Sequence, residues 1–491
     1  MRRAGLSRRA GGRLSGGGQF SPRSLANLEL WLRADTGVTT GATLTWRDLS
    51  GHGYTFSQST GANQPAVSSH AQLNGCTTLS FDGTNDFLLC DQAASSWRFL
   101  HDGTGCEVFF VFVQTGTASK RSDWLSTCDV SLPASSQGLL CASYADTSYQ
   151  HYLAVQNGAG ATRPVDSGTT NTLADDCGHI YNAQHSSAGS TKWQTYADGV
   201  SVASSASYAA ALGAGTPAYP LTLGASAGGA AGFAQGHLAE VLVYKRVLSA
   251  AERALVNAYL ESRYFVWSPA SLGSNLLAWY RADLGITTAT GVSVWADQSG
   301  RGDSARHLLQ ATGGAQPAYS SAHASFNTRP AVVPDGTNDY LQSGTWSAAV
   351  AQPFTTFAAA AASGTGTKTL VDSLSGGHAS LGTITAAGNA NANFGSSLST
   401  ATAWTSAQIV AAVANGGSTA IYQGNATTAT SGAGGANGAS GATVFADNGL
   451  ASNWWNGACP ELFFVSGAAS LTDRQNAFAY MSRRYRVMVT L

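Results

Sequence analysis

The sequence predicts an all-β protein built from two tandem β-sandwich domains, each closed by a C-terminal helix. Three observations support this prediction. The chain has 491 residues, whereas a large all-β domain runs to about 200–250 residues. Short runs rich in Val, Phe, Tyr and Thr alternate with Gly, Asn, Asp and Ser, which is typical of many antiparallel strands. Finally, the second half of the chain repeats blocks of the first half in the same order.

The repeat begins at the first predicted strand of each half. LELWLRADTGVTT starts at Leu28 and matches LLAWYRADLGITT, which starts at Leu276. The pentapeptide from Asp82 to Asp86 recurs unchanged from Asp335 to Asp339. Because so many matches keep their order along the chain, we infer that one fold was duplicated.

Each repeat ends in a predicted helix. Ser249 and Glu252 form a capping box, and apolar residues follow them at helical spacing. A second helix with the same apolar spacing is predicted around Thr472 to Arg483. The expected organisation is a basic arm at residues 1–24, one domain at 25–266 and its diverged copy at 267–491.

Composition restricts the classes of partner. Charged residues make up 11% of the chain and the formal net charge is -1. This argues against nucleic acid as the main ligand, because phosphate binding requires a basic face. No apolar run is long enough to cross a bilayer, so no membrane partner is expected.

The cysteines do not form a complete disulfide framework, because there are seven of them. Cys76 and Cys90 are spaced symmetrically about the turn predicted from Asp82 to Asn85. They are expected either to bridge across a hairpin in an oxidising compartment or to be two reduced packing residues.

The N-terminal arm is the most strongly charged segment. Its arginines lie among Gly and Ser without an acidic residue: Arg2, Arg3, Arg8, Arg9, Arg13 and Arg23. Such a segment cannot bury enough apolar surface to fold alone, and it lacks the apolar stretch of a secretory signal. We predict that these arginines anchor the protein to an assembly by binding a more acidic neighbouring subunit.

The order of blocks in the first half resembles a known family. Nearly all of residues 25 to 264 follows the order WLRAD, W.DLSG, QP, FDGTNDFL, WQTYADGVSV, LTLGAS and GHLAEVLVYKRVLSAAERALVNAYL. This order resembles LamG-like jelly rolls of the concanavalin A-like lectin/glucanase superfamily, which also occur as tandem pairs in phage structural proteins. The resemblance implies two curved antiparallel sheets packed face to face. It also implies carbohydrate binding as a frequent use of the fold, and glycan hydrolysis as a rarer one.

Hydrolysis can be weighed against the acidic residues. Retaining glycosidases need two carboxyl groups about 5–5.5 Å apart, and the glucanases of this superfamily carry them in an E-x-D-x-x-E run. The chain has no such run, and Glu240 and Glu461 each lie in an apolar strand without an acidic residue two positions away. We therefore predict a protein without enzymatic activity, and a divergent glycoside hydrolase is the third interpretation.

The repeated pentapeptide is the best candidate for a metal site. Its oxygens are of the kind that calcium prefers, and they belong to Asp82, Asn85, Asp86, Asp335, Asn338 and Asp339. The competing interpretation is a tight hairpin with Phe81 and Phe87 on its two arms. Calcium needs six or more oxygens and one loop supplies fewer, so we favour the turn and predict no required cofactor.

Three residues are candidates for ligand binding. Trp454 and Trp455 are adjacent in a predicted strand, so they point to opposite faces and one ring is expected to be exposed. Such a ring offers a platform for a sugar or a protein contact. Asp198, in the predicted strand pair WQTYADGVSV, is the third candidate.

Trp31, Arg33 and Asp35 are predicted to share one face of the first strand. They are suited to sugar binding, but the expectation is structural, with the indole in the core and the ion pair at the end of the sandwich.

Lectin-like sandwiches usually act outside cells, yet the sequence shows no export signal, no anchor and an odd number of cysteines. A bacteriophage virion protein, made in the cytoplasm and released by lysis, satisfies both conditions. We therefore predict a virion component, either a capsid decoration or a tail-associated protein, that binds other virion proteins through its arm and adheres to host glycans. The alternative is an extracellular carbohydrate-binding protein that is exported by another route.

Overall fold

The protein folds into four antiparallel sheets, two from each half of the chain. The computed structural model describes residues 20–115, 120–128, 136–145, 150–158, 165–170, 177–384, 386–450 and 452–491. A one-turn helix, α1 (Ala34–Gly37), follows the first strand. The strands of the first half are β1 (Leu28–Arg33), β2 (Val38–Thr39), β3 (Leu44–Arg47), β4 (Thr55–Gln58), β5 (Ala66–Ser69), β6 (Thr77–Asp82), β7 (Leu88–Cys90), β8 (Cys106–Gln114), β9 (Lys120–Ser126), β10 (Gln137–Ala145), β11 (Gln150–Asn157), β12 (Val165–Thr170), β13 (Gly178–His185), β14 (Trp193–Ala197), β15 (Val200–Ser205), β16 (Thr222–Leu223) and β17 (Gln235–Tyr244).

These strands form an eight-stranded and a nine-stranded sheet. The eight-stranded sheet has the order β15-β14-β13-β8-β17-β6-β5, and β1 also pairs with β17. The nine-stranded sheet has the order β12-β11-β10-β9-β16-β7-β4-β3-β2. The chain passes between the two sheets repeatedly, so that pairs of consecutive strands lie beside strands from distant parts of the sequence, as β8 does beside β17.

The second half repeats this arrangement. Its strands are β18 (Leu276–Arg281), β19 (Ile286–Thr288), β20 (Val292–Trp295), β21 (Leu308–Leu309), β22 (Ala318–His323), β23 (Arg329–Val333), β24 (Leu341–Gln342), β25 (Phe354–Ala362), β26 (Lys368–Asp372), β27 (Ser380–Ile384), β28 (Asn389–Asn393), β29 (Ser397–Ala403), β30 (Ala407–Ala414), β31 (Thr419–Gln423), β32 (Thr430–Gly432), β33 (Thr443–Val444) and β34 (Gly457–Ser466). The sheet orders are β22-β23-β34-β25-β30-β31-β32, with β18 on β34, and β19-β20-β21-β24-β33-β26-β27-β28-β29. In the described residues, each strand pairing of the first half has its counterpart here. The predicted all-β fold is confirmed.

The two sheets of each half enclose an apolar core. The tryptophans of the repeated W-x-D block, Trp46 and Trp295, are fully buried between the sheets. Side chains that point inward from alternate strand positions fill the rest of this space. The repeated tryptophans therefore mark equivalent positions in two separate cores.

A helix covers the outer face of each eight-stranded sheet. These helices are α2 (Ala250–Tyr264) and α3 (Leu471–Tyr485), and each begins at a complete capping box. Because β8 lies between the core and α2, all its residues from Cys106 to Val113 are buried. Phe110 faces the nine-stranded sheet and Phe109 faces the helix, which explains why β8 has no polar alternation.

Each helix also covers a buried carboxyl group of the central strand. Glu240 Oε1 accepts hydrogen bonds from Trp31 Nε1 at 2.6 Å and Tyr259 Oη at 3.0 Å, and Oε2 accepts one from Tyr264 Oη at 2.7 Å. In the second half, Glu461 accepts hydrogen bonds from Trp279, Tyr480 and Tyr485 in the same way. The Trp31 indole is therefore buried in a core as expected, and this core is the apolar cluster between the sheet and the helix.

The expected ion pair at the end of the first strand is present and includes the helix. Arg33 Nε lies 2.9 Å from Asp35 Oδ1, and Arg263 from α2 contacts the same carboxylate. Arg281 and Asp283 form the same pair in the second half, joined by Arg484 from α3. These pairs are partly exposed to solvent, so each contributes little stability.

The repeated pentapeptide joins the two sheets instead of forming a hairpin. β6, which ends at Asp82, belongs to the eight-stranded sheet, whereas β7 belongs to the nine-stranded sheet. Cys76 lies on the outer side of its sheet near the Arg263 carbonyl, while Cys90 is buried in the core. The hairpin interpretation was therefore wrong. Cys76 and Cys90 therefore form no disulfide bond with each other.

The two halves contact each other through the C-terminal segment. Arg486, which follows α3, donates hydrogen bonds from Nη2 to the carbonyl oxygens of Ala197 at 2.7 Å and Val200 at 3.1 Å. Phe265 of the short linker packs beneath Arg483 of α3. In the part of the chain that the structure describes, no helix is both long and apolar enough to cross a membrane.

The division at residue 266 leads to a testable expectation. Each half has its own core and its own covering helix, so residues 25–266 are expected to unfold in one cooperative transition when expressed alone. Thermal unfolding followed by far-ultraviolet circular dichroism measures this. A broad, non-cooperative melt of the fragment would show that the contacts with α3 are required for folding.

Candidate functional site

An aromatic patch lies on the rim of the second sandwich, where the second copy of the pentapeptide meets the segment before β34. Trp454 and Tyr340 are half-buried, and their ring centroids are 6.2 Å apart with an interplanar angle of 40°. Asp335 forms a β-bridge with Asn456, and both are exposed, as is Asn338. We define the aromatic rim as Trp454, Tyr340, Asp335, Asn338 and Asn456.

Local backbone geometry explains the orientation of the two tryptophans. Adjacent extended residues point to opposite faces, so Trp455 enters the core, where its ring centroid lies 5.2 Å from that of Trp404. Trp455 is fully buried. The prediction that Trp455 binds a ligand is therefore wrong, whereas Trp454 remains at the surface.

A glycine allows the turn to approach this segment. Gly336 has φ 79°, and a Cβ atom placed there would lie 2.6 Å from the Asn456 Cβ. A larger residue would therefore push the turn away from Asn456 and separate Tyr340 from Trp454.

The carboxylates of the pentapeptide hold the turn. Asp335 Oδ1 accepts hydrogen bonds from the Thr337 amide at 2.8 Å and the Asn338 amide at 3.4 Å. Asp339 Oδ2 accepts one from the Asp335 amide at 2.9 Å, and burial raises the pKa of Asp339. These hydrogen bonds give the repeated Asp residues a role in shaping the backbone.

The first copy of the pentapeptide has the same hydrogen bonds. Asp82 Oδ1 accepts from the Thr84 and Asn85 amides, and Asp86 Oδ2 accepts from the Asp82 amide. Burial raises the pKa of Asp86 as it does that of Asp339. Among the described residues, no three His, Cys, Asp or Glu side chains are grouped as metal ligands would be.

The first sandwich has phenylalanines at the positions of the two rim aromatics. Phe87 directly follows the first pentapeptide, and Phe233 lies three residues before Gly236, the counterpart of Gly457 in the central strand. Phenylalanine has an apolar ring face but no hydrogen-bonding group. The two rims therefore differ in polarity even though their backbones correspond.

Asp198 is buried in a turn, at the wall of a pocket between the two sandwiches. It joins β14 to β15 with φ 47° and is 6% exposed. Its Oδ2 lies 2.8 Å from His179 Nδ1, and its Oδ1 accepts a hydrogen bond from the Ile180 amide at 3.0 Å. Burial favours a higher pKa for Asp198, but His179 outweighs this effect and keeps the pKa below its usual value. Both carboxylate oxygens of Asp198 are therefore engaged within the fold, and its role in ligand binding stays a prediction.

The arm residues fall into two groups. Arg23 is exposed, and its Nε donates a hydrogen bond to the Leu49 carbonyl at 2.5 Å, so it is held against the end of the first sandwich. The other candidate anchor residues lie outside the described residues: Arg2, Arg3, Arg8, Arg9 and Arg13. Their anchoring role stays a prediction.

The buried glutamates serve the fold. Glu240 and Glu461 are covered by helices, and Glu107 is fully buried and paired with Arg253. None of the three opens onto the aromatic rim, whose exposed carboxylate belongs to Asp335.

The arrangement of the rim has a clear chemical consequence. Aromatic ring faces pack against the apolar C–H face of a pyranose, while the adjacent carboxylate and amide groups can hydrogen-bond its hydroxyls. Sequence reasoning identified Trp454, Asp335 and Asn338 but missed Tyr340 and Asn456. The one available signal for Tyr340 was that an aromatic residue follows the pentapeptide in both copies.

Residues 111–252 match the family model of the concanavalin A-like lectin/glucanases superfamily. A search of curated proteins gives no match.

One similar solved structure is a mutant of Trypanosoma rangeli sialidase displaying trans-sialidase activity, at 14% identity and TM-score 0.31, covering 48% of this chain and 33% of that chain. Another is the CBM40 of Ruminococcus gnavus IT-sialidase bound to α2,3-sialyllactose, at 12% identity and TM-score 0.28, covering 40% of this chain and 96% of that chain. The binding domain of botulinum neurotoxin DC in complex with SialylT has 8% identity and TM-score 0.35, covering 90% and 95%. Similarities this remote support no inference about a ligand. The family model matches part of the first sandwich, and the second half repeats the strand pairings of the first, so the chain folds as two tandem β-sandwiches of the jelly-roll type, each closed by a C-terminal helix.

Proposed function

We propose that this chain is a non-enzymatic virion surface protein that adheres to host glycans through the aromatic rim of its second sandwich. The observation that carries the proposal is the pair of half-buried rings, Trp454 and Tyr340, beside the exposed polar groups of Asp335, Asn338 and Asn456. An apolar ring face bordered by hydrogen-bonding groups matches the alternating C–H and hydroxyl surface of a sugar. The matching superfamily model, whose name includes lectins, covers part of the first sandwich, and the second sandwich repeats its strand pairings.

The proposal assigns glycan binding to the second sandwich only. At the corresponding rim of the first sandwich, Phe87 and Phe233 replace the tyrosine and tryptophan, so the aromatic hydrogen-bonding groups are absent there. This difference supplies a matched control within one chain.

Replacing Trp454 with alanine is expected to weaken glycan binding by at least about tenfold, because the ring is the largest contact surface of the rim. Binding is measured on a glycan array and then by titration calorimetry with the best ligand. Phe233→Ala is the matched control and is expected to leave affinity unchanged. Equal losses in both variants, or no loss in either, would contradict the assignment of the rim.

If the chain is instead a glycoside hydrolase, the glycans that it binds should be cleaved. A glycosidase releases reducing ends from the glycans that it binds, whereas an adhesion protein retains them intact. Incubation of bound glycans with the full chain, followed by a reducing-sugar assay, separates the two functions.

Attachment to the virion is proposed for the arm. Its six arginines, with no acidic residue among them, suit bidentate contacts with carboxylates of a neighbouring subunit. Deletion of residues 1–19 is therefore expected to abolish incorporation into particles without changing the melting of either sandwich, because Phe20, Pro22 and Arg23 keep their contacts with the first sandwich. Attachment of the intact chain should weaken as salt increases. Particle composition, measured by mass spectrometry, is the readout. Full incorporation of the truncated chain would exclude the arm as the anchor and favour the extracellular alternative.

A further inference from the structure

The two sandwiches meet at a pocket that neither half forms alone. Its volume is about 160 Å³. We call it the junction pocket, and its walls are the linker from Tyr264 to Trp267, Gln72 of the first sandwich, and Asn476, Tyr480 and Arg483 of α3. Pockets between domains are frequent sites of small-ligand binding, because groups from two rigid bodies converge there.

Aromatic side chains form much of the wall. The ring centroids of Trp267 and Tyr480 are 5.7 Å apart with an interplanar angle of 63°, and Phe265 lies beneath the Arg483 guanidinium, whose carbon is 4.2 Å from the ring centroid. A cavity of roughly 150 Å³ is large enough to hold one benzene-sized ring. The junction pocket therefore has room for a single six-membered ring.

The charge of the pocket comes from Arg483. Among the described residues, no carboxylate lies within 4.0 Å of its guanidinium and no side chain or carbonyl accepts a hydrogen bond from it. Asp198 and Glu261 are close enough to feel its charge, but Asp198 is already paired with His179. Stacking on Phe265 holds the planar guanidinium in place while its N–H groups remain available. A half-buried guanidinium without an acceptor favours an anionic ligand.

We propose that the junction pocket binds a carboxylate carried on a single six-membered ring. The ring would pack against Trp267 and Tyr480, and the carboxylate would accept two hydrogen bonds from Arg483. The side-chain amides of Gln72 and Asn476 also line the pocket and make no hydrogen bond within the described part of the chain, so they are available to ring hydroxyls. This site is independent of the aromatic rim and goes beyond the proposed function.

Titration calorimetry of the full chain with three probes tests the proposal. Glucuronate represents a sugar acid, benzoate an aromatic acid, and glucose a neutral ring of similar size. Binding of glucuronate, benzoate or both, with no binding of glucose, supports the proposal, and the tighter acid identifies the source of the ring. Failure of both acids to bind, or binding of glucose as strong as that of the acids, overturns it.

Two variants test whether the acid binds in the junction pocket. Arg483→Gln is expected to weaken the acid by at least about tenfold, because a charge-assisted bidentate contact is lost. Ala479→Leu fills the pocket from α3, where Ala479 is 8% exposed, and is expected to abolish binding without touching the guanidinium. Arg98→Gln, an exposed arginine that does not line the pocket, is the matched control and should bind normally.

The melting temperature of each variant is measured beside its titration. If one of the two variants does not fold, the affinity of the other variant tests the site. Unchanged affinity in a folded Arg483→Gln or Ala479→Leu protein would exclude the junction pocket. Trp454→Ala should leave the affinity for the acid intact, which distinguishes failure of this site from failure of the aromatic rim.

Discussion

Replacing Arg253 with methionine is expected to lower the free energy of unfolding of the first sandwich by about 3–5 kcal/mol, the usual cost of removing one partner of a buried ion pair. Arg253 Nε lies 2.5 Å from Glu107 Oε1, and Nη2 lies 3.1 Å from Oε2. Glu107 is fully buried and Arg253 is 8% exposed. Without the guanidinium, the donors that remain to the carboxylate among the described residues are the Asn182 side-chain amide and the Leu248 backbone amide. Chemical unfolding of the full chain, followed by fluorescence and circular dichroism, measures the loss.

The second sandwich supplies a control for this variant. Arg474 occupies the corresponding place, four residues after the N-cap of α3, but Thr355 replaces the glutamate. Arg474 donates hydrogen bonds to the carbonyl oxygens of Ala426 at 3.0 Å and Ala469 at 2.7 Å. Because only neutral acceptors are left behind, Arg474→Met should cost about 1–2 kcal/mol.

The double variant Glu107→Thr with Arg253→Met isolates the charge. Removing the stranded carboxylate is expected to recover much of the stability that Arg253→Met loses, giving a coupling energy well above the error of the cycle. Equal losses for Arg253→Met and Arg474→Met, with no recovery in the double variant, would show that the ion pair contributes no more than ordinary packing.

The second large effect is a dependence of stability on pH. Burial raises the pKa of Glu240 from its ordinary value of 4.5 to about 7, although Tyr264, Trp31 and Tyr259 donate hydrogen bonds to it. Between these two values the folded protein holds a proton that the unfolded chain has lost. Stability from this group is therefore complete below about pH 4.5 and is lost as pH rises through about 7. The total change is about 3 kcal/mol, from the difference between the two pKa values.

Glu240→Gln is expected to flatten this part of the stability profile, because the amide keeps the shape of the neutral carboxyl group and cannot ionise. Unfolding free energies measured from pH 4.5 to 8 test this. Glu461→Gln is the corresponding variant in the second sandwich, since burial also raises the pKa of the Glu461 carboxyl group. Glu461 differs in having Arg484 Nε 3.8 Å from Oε2, a contact that opposes the shift. If the free energy of unfolding of Glu240→Gln falls with pH as steeply as that of the unmodified chain, the pH dependence comes from other groups.

The sequence by itself determined the architecture. The ordered matches from Leu28 and Leu276 onward predicted the duplication, because such matches reflect one chain path. The capping box at Ser249 and Glu252 predicted the start of α2 correctly, because a cap is decided by residues within one helical turn. The opposite orientation of Trp454 and Trp455 was predictable for the same reason, since the alternation of side chains is a local property of an extended chain.

Tertiary structure alone decided which distant groups meet. The pentapeptide at Asp82 has the same local turn chemistry whether it joins paired strands or crosses between sheets, so only the sheet order could reject the hairpin. Trp31 and Glu240, which are hydrogen-bonded, lie 209 residues apart, and no local pattern marks such a pair. Asp198 has the residue type of a ligand-binding group, but its burial against His179 depends on neighbouring strands. The junction pocket likewise exists only because the linker, the first sandwich and α3 converge, whereas sequence patterns report contacts within a few residues of each other.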